Sequence, residues 1–417
     1  MKNSSILVVP IVMLAAVLMA SSPTASNAQA AQLTPTAQVG RGSFLVTGLK
    51  KDRSGETVYF GPDDYPEGMN PLTGLMVKDV NLLERRPMAI KITNHPRTVR
   101  PQSGLTRADV VYEYYMERGI SRFIALYYGQ EAEKVGPVRS GRFFDEHIFR
   151  MYDAIFAFDS ADTHVMSYFI NQGPETYLQF AIEGGIDEER TCIEGASYPL
   201  CRDPQVRDYN DLFADTRALG PGILSRGDHN DAPDLSGTRF SVEPPQGGEP
   251  ALKLFFRYSL LIYGKWEYSA ETGRYTREQE TLGFEDEQRE EYRPLMDDLT
   301  GEQIAADNVV VLYATHRYFI ISPTTEIVQI DLIGSGEAVV FRDGKSYPAI
   351  WYRPVEGGVL QILDREGNRF PMKPGQTWYQ VLSWESTLAK EEADWRFRFY
   401  PPVVPDEPVY PSYFNPE

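Results

Sequence analysis

The sequence predicts an α/β N-terminal domain with a mixed sheet, followed by a mostly antiparallel β C-terminal domain. Three observations carry this. Between residues 88 and 219, strand-like apolar runs alternate with helical periodicity, as in layered α/β structure. From residue 251 to about 385 nearly every apolar run has strand character, with turn signals at Asp343-Gly344 and Glu366-Gly367. Between the two, SVEPPQGGEP (Ser241 to Pro250) concentrates proline and glycine as linkers do.

Each element has its own warrant. MAIKIT (from Met88), Val110 to Met116, Ile120 to Tyr128 and AIFAF (from Ala154) read as strands. Phe143 to Tyr152, Thr163 to Asn171 and Tyr209 to Leu219 have the spacing of helices. Downstream, LKLFFRYS, KWEYSAETGRYTR, NVVVLYAT, EAVVFRDGKSYPAIWYR and LQILDREGNRF predict an antiparallel sheet or small barrel. The expected organisation is a signal peptide over 1–30, a tether over 31–65, an α/β domain over 66–245, a β-rich domain over 250–385, and a proline-rich tail over 401–417. That tail, PPVVPDEPVYPSYFNPE, should be extended and polyproline-like.

Residues 1–30 predict export. Lys2 gives a positive start, Ile6 to Ala20 is apolar but too short to span a bilayer, and Ala28-Gln29-Ala30 is a cleavage signal. Neither cysteine lies near that site, so no lipobox cysteine is present there for a lipid anchor. The expected location is extracytoplasmic, in the cell envelope, with no transmembrane segment. After cleavage, 40 basic residues face 59 acidic ones. Polyphosphates are repelled by such a chain, which excludes nucleic acid as a partner. Cys192 and Cys201 are an even pair in an exported chain, and a local disulfide is expected. Metal-ligand spacings are absent, and no cofactor is expected.

Charged residues gather in two places. A two-residue turn at Arg118-Gly119 would put Glu117 opposite Ile120 and Tyr115 opposite Arg122. Val110, Tyr112, Tyr114 and Met116 would then face the core, with Glu113, Glu117 and Arg122 together on the other face. Four residues of strand separate Glu113 from Glu117 by about 13 Å, too far for a glycosidase pair. The expected role of Glu113, Arg122 and Glu117 is an acid–base–acid brace.

The second place is VGPVRSGR, Val135 to Arg142. It precedes the helix FFDEHIFRMY, and a parallel crossover from IALYY to AIFAF would bring it to the carboxyl edge of the sheet beside DSADTH, Asp159 to His164. Ser140 is placed to cap that helix, with Arg139 and Arg142 flanking its N–H groups. The combination suits a carboxylate, phosphate or sulfate. Arg100 and Gln102, in the loop after MAIKIT, would join Arg139, Ser140 and Arg142, and Asp159 would orient an arginine. The competing reading pairs both arginines with Asp145, Asp159 or Asp162. Asp159, Asp162 and His164 also form an alternative acid/base or metal set, with Ser160 close by but outside any nucleophile-elbow motif.

The blocks NPLTGL (from Asn70), RPQSGLTRADVVYE (from Arg100), ERGISRF (from Glu117) and VGPVRSGR resemble the YerB-like family of bacterial cell-envelope proteins, as do TGEQIAADNVVV, GSGEAVVFRDGK and PGQTWYQVL downstream. The resemblance covers about 70–385. It implies the same partition into an α/β part and a β-rich part, and an envelope location. Members are commonly lipoproteins, and here the lipobox cysteine is missing. Where the family pattern implies Pro-His-Asn, this chain has Asp208-Tyr209-Asn210. The resemblance implies no established reaction.

The expected function is therefore a secreted, non-catalytic envelope protein that binds an anionic small molecule or cell-wall component, such as a peptide or glycan carboxylate. The alternatives are an envelope hydrolase or transferase using Asp159, Asp162 and His164, and a scaffold binding proteins through its acidic surface and proline-rich tail.

Overall fold

The computed structural model describes residues 57–171, 174–184, 190–282, 289–322 and 325–404. The expected signal peptide, the tether up to residue 56 and the tail from residue 405 lie outside them.

MAIKIT forms β1 (Met88–Thr93), buried on both faces. It is followed by β2 (Val110–Glu117), β3 (Ile120–Tyr127), α1 (Phe143–Met151), β4 (Ile155–Phe158), α2 (Thr163–Asn171), α3 (Pro174–Phe180) and β5 (Ala181–Glu183). A small hairpin, β6 (Leu200–Arg202) with β7 (Leu212–Ala214), precedes α4 (Thr216–Leu224). The expected helix from Tyr209 to Leu219 is thus corrected. Its middle, Leu212–Ala214, is a strand, and the Asp215 side chain caps a later helix by accepting from the Arg217 N–H at 2.9 Å.

Downstream lie β8 (Lys253–Arg257), β9 (Tyr263–Ser269), β10 (Arg274–Glu280), β11 (Asn308–Ile321), β12 (Glu326–Asp331), β13 (Gly334–Arg342), β14 (Lys345–Arg353), β15 (Thr377–Ser383), β16 (Thr387–Glu391) and β17 (Asp394–Arg398). They divide between two sheets. The main path of the central sheet runs β14-β13-β11-β15-β2-β3-β1-β4-β5, and its junction is a parallel pairing of β15 with β2, Thr377 to Val381 against Val110 to Tyr114. β8, β9, β10, β16 and β17 belong to a second, seven-stranded sheet. The chain is mostly β, with its helices in the N-terminal region, and the central sheet is mixed.

Helices cover one face of the middle of the central sheet, where Phe144 of α1 meets Tyr112 and Tyr114. The second sheet covers the other, where Trp266 packs edge-on against Trp378 and Trp378 against Phe123. Strands covered on both faces bury every side chain, and β2 and β3 do so from Val110 to Met116 and from Ser121 to Tyr127.

Two register expectations are corrected. The Arg118-Gly119 turn forms, with φ of 48° and 77°, and Glu117 does face Ile120. A bulge between Tyr115 and Glu117 then shifts the ladder, so Tyr115 faces Ser121 and Tyr114 faces Arg122. One inserted residue moves every later partner to the opposite face. Secondly, β3 and β4 are not a parallel crossover pair, because β1 lies between them, antiparallel to β3 and parallel to β4.

Candidate functional site

The residues after β3 return along β1, and this places the arginines. Pro137 O accepts from Thr93 N at 3.0 Å, and Arg139 N donates to Lys91 O at 3.0 Å. Beyond the end of β4, Asp159 N donates to Arg139 O at 3.2 Å and Gly141 N to Ser160 O at 2.7 Å. VGPVRSGR is thereby stitched across the carboxyl ends of β1 and β4, beside DSADTH. The expected location holds, although the strands that define it are β1 and β4 and not β3 and β4.

Ser140 does not cap α1. Arg142 is the N-cap residue, its N–H donates to Asp145 Oδ2 at 2.7 Å, and the Asp145 carboxylate fills the place reserved for an anion. The Ser140 carbonyl accepts from Arg122 Nη1 at 2.7 Å, and its hydroxyl lies 3.4 Å from that of Ser160. Arg142 holds Glu117 in a two-pronged contact, Nε to Oε2 at 3.0 Å and Nη2 to Oε1 at 2.6 Å. Arg139 is held more loosely, with Nη1 3.4 Å from Asp159 Oδ2 and 3.3 Å from the Tyr209 carbonyl, below the Tyr209 ring. Asp159 also lies 3.7 Å from Arg202 of the β6–β7 hairpin, which the Cys192–Cys201 disulfide closes on its other side.

Arg122 differs from both. It is buried at 8 % exposure, its one side-chain hydrogen bond among the described residues is the one to Ser140 O, and its Nε has no partner. Burial, then the neighbouring charge of Arg142, pulls its pKa down to about 9. It shares a sheet face with Lys91, Tyr114 and Asp145, all fully buried. Lys91 Nζ lies 2.9 Å from Asp145 Oδ1, Tyr114 OH donates to the same oxygen at 2.5 Å, and the ammonium also meets the phenol oxygen. Burial lowers Lys91 to about 7 against the pull of Asp145. The clue to this cluster was a lysine inside a six-residue strand that is otherwise free of charge.

The acid–base–acid brace does not form. Glu113 turns toward the second sheet, where it accepts from Arg277 Nη2 and Gln380 Nε2, each at 3.0 Å, and from the Ser121 hydroxyl at 2.9 Å. Glu117 goes to Arg142, and the bulge puts Arg122 and Glu113 on opposite faces. Arg100 and Gln102 also stay away from the arginine cluster. Arg100 pairs with Glu280 of β10 at 2.8 Å and donates to the Asn94 carbonyl at 2.7 Å, while Gln102 donates to Thr93 O at 3.1 Å. Asp162 caps its own turn, accepting from His164 N at 2.9 Å and from His164 Nδ1 at 2.8 Å. Among the described residues no group of three His, Cys, Asp or Glu side chains is placed to hold a metal ion. Nor is any described helix long and apolar enough to cross a membrane.

Residues 72–226 match the family model "Protein of unknown function (DUF3048) N-terminal domain", and residues 254–379 match the corresponding C-terminal domain. The Bacillus subtilis (strain 168) protein described as "Putative lipoprotein YerB" is 26% identical over 329 residues, which cover 77% of this chain and 88% of that protein. The crystal structure of YerB from Bacillus subtilis has the same fold, with a TM-score of 0.58 at 23% identity over 75% of this chain and 96% of the other. With both domain models matched in order across one continuous sheet, the chain belongs to the YerB-like family of proteins of unknown function.

Proposed function

We propose that this is an extracytoplasmic envelope protein, non-catalytic, that holds an anionic group at the carboxyl ends of β1 and β4. The carboxylate of a cell-wall peptide or glycan is the ligand class. One observation supports the reading above the others: Arg122 is a buried cation with no carboxylate partner among the described residues, set between Arg139 and Arg142. A buried charge of this kind is costly unless something neutralises it. An anion bridging Arg122 and Arg139 would compete with the long Arg139 contacts to Asp159 at 3.4 Å and the Tyr209 carbonyl at 3.3 Å, and leave the Arg142–Glu117 fork intact. The Ser140 and Ser160 hydroxyls, 3.4 Å apart, would supply neutral donors.

Citrate tests this. A site that binds only the folded state raises apparent stability with ligand concentration. At matched ionic strength citrate is expected to raise the thermal midpoint of the wild type and to leave that of Arg122→Met/Arg139→Ala unchanged. An equal rise in both proteins overturns the site.

A further inference from the structure

The family blocks NPLTGL, TRADVV, AADN and PGQT take no part in the arginine cluster, yet they meet in space. Asn70, Thr73, Asp109, Asp307 and Gln376 line one cleft of about 700 Å³, within the range of about 300–1,000 Å³ common for small-ligand sites. It lies where β2, β11 and β15 begin and β3 ends, at the opposite end of the central sheet from Arg139 and Arg142. Its walls are contributed by both family domains, and they are tied together. Gly375 N donates to Thr73 O at 2.8 Å, and Gln376 Nε2 donates to Leu105 O at 2.8 Å and to Ala108 O at 2.7 Å. Gly375 has φ of 136°, and a side chain there would collide with the Asp307 carboxylate, which explains the glycine of PGQT.

We propose that this cleft binds the free carboxylate end of a short apolar peptide. Charge comes first. Each acid of the lining is already engaged. Asp109 accepts from Asn70 Nδ2, Tyr128 N and Gly129 N; Asp307 accepts from Gln376 N beside Arg274; Glu131 holds Arg85; Asp79 accepts from Asn81 N. Lys78 and Arg107 are the lining cations without an ion pair among the described residues, Arg107 making one 3.4 Å contact to Gln130. Asp79 and Asp109 meet neutral donors only, so the unpaired charges of the lining balance, two of each sign, and Lys78 and Arg107 are the cations left to receive an incoming carboxylate. Shape comes second, because Leu75 and Met76 stand at 47% and 60% exposure on the same wall and give an apolar body somewhere to lie. Hydrogen bonding comes third. Gln376, at 7% exposure, has spent its amide nitrogen on two carbonyls, and its Oε1 has no donor. A peptide N–H supplies one, and an alkyl carboxylate does not.

Calorimetric titration of the whole protein with N-acetyl-Leu-Leu as free acid, with its C-terminal amide and with decanoate tests the proposal. The acid is expected to bind at least tenfold more tightly than the amide. In the Arg122→Met/Arg139→Ala background, which removes the arginine site and any acid bound there, that preference should persist, and adding Lys78→Ala/Arg107→Ala, both exposed positions, should abolish it, so failure here and failure of the arginine site are separable. Equal binding of acid and amide, or no binding of either, overturns the proposal. Decanoate bound with the peptide acid unbound overturns it in favour of an aliphatic acid.

Discussion

Two buried arginines sit on opposite faces of the same hairpin, and their surroundings differ. Arg277, at 1% exposure, reaches from the second sheet to Glu113, bonds Gln279 twice and lies against Trp266 and Trp378. Arg122, on the helix-covered face, has one carbonyl. Arg277 is a strut between layers, its charge matched where it is buried. Arg122 has no carboxylate in contact, and Glu117, the acid nearest in effect, is already forked by Arg142. The difference teaches that a cationic residue in a core is evidence of a binding role only where its partners run out.

Predictions follow the strength of those partners. Glu113→Gln leaves Arg277 buried without its carboxylate and is expected to cost about 3–5 kcal/mol in urea unfolding. A loss below 1 kcal/mol would dissolve the distinction between strut and site. Arg142→Ala removes the fork on Glu117, and about 1.5–3 kcal/mol is expected from charged hydrogen bonds in a half-buried setting.

Acid should act on both sides of the central sheet alike. His316, against Phe399, and His147, on α1, are each held near pKa 4, mainly by burial. Between pH 6.5 and 4 the unfolded chain takes up protons that these imidazoles refuse in the fold, so stability falls as pH falls. The slope is about 1.4 kcal/mol per pH unit for each histidine. His316→Phe should halve the histidine part of that slope, and an unchanged slope would show that His316 titrates normally.

Arg122→Met should be the mildest of the core changes, within about 1 kcal/mol of wild type or slightly stabilising, because it strands no carboxylate and the Ser140 carbonyl still has Arg142 Nη1 at 3.4 Å. A loss as large as that of Glu113→Gln would make Arg122 a strut as well. The smallest expected effect concerns the chain between the family domains. Ser241 to Pro250 is exposed beyond its first residue except at the half-buried Pro245, and proteolysis there should leave two fragments that still elute together, because β15 is hydrogen-bonded to β2. Fragments that separate and stay folded would restore two independent domains.

Much of this was readable. MAIKIT, VVYEYYME and FFDEHIFRMY announce their structure by apolar pattern, and Thr163–Asn171 keeps its expected ends. The position of VGPVRSGR at a carboxyl edge beside Asp159 was also legible. Partner identity was not. Whether Arg122 meets Glu113 or Tyr114 turns on a bulge at one residue, which leaves no mark in VVYEYYMERGISRF. Pairings such as Glu113–Arg277 and Arg100–Glu280 span 164 and 180 residues, and local spacing carries no information about them.

The junction of β2 with β15 also bears on how the chain is made. Contacts between Val110 and Thr377 have a very high sequence separation, and loop closure of that length is met before any contact rewards it. Until residue 383 has been synthesised, β2 is an eight-residue strand, rich in valine and tyrosine, with one edge unpaired, the kind of edge that recruits other chains. A product truncated ahead of Thr377 keeps that edge open permanently, whereas one truncated after Tyr400 retains both sheets.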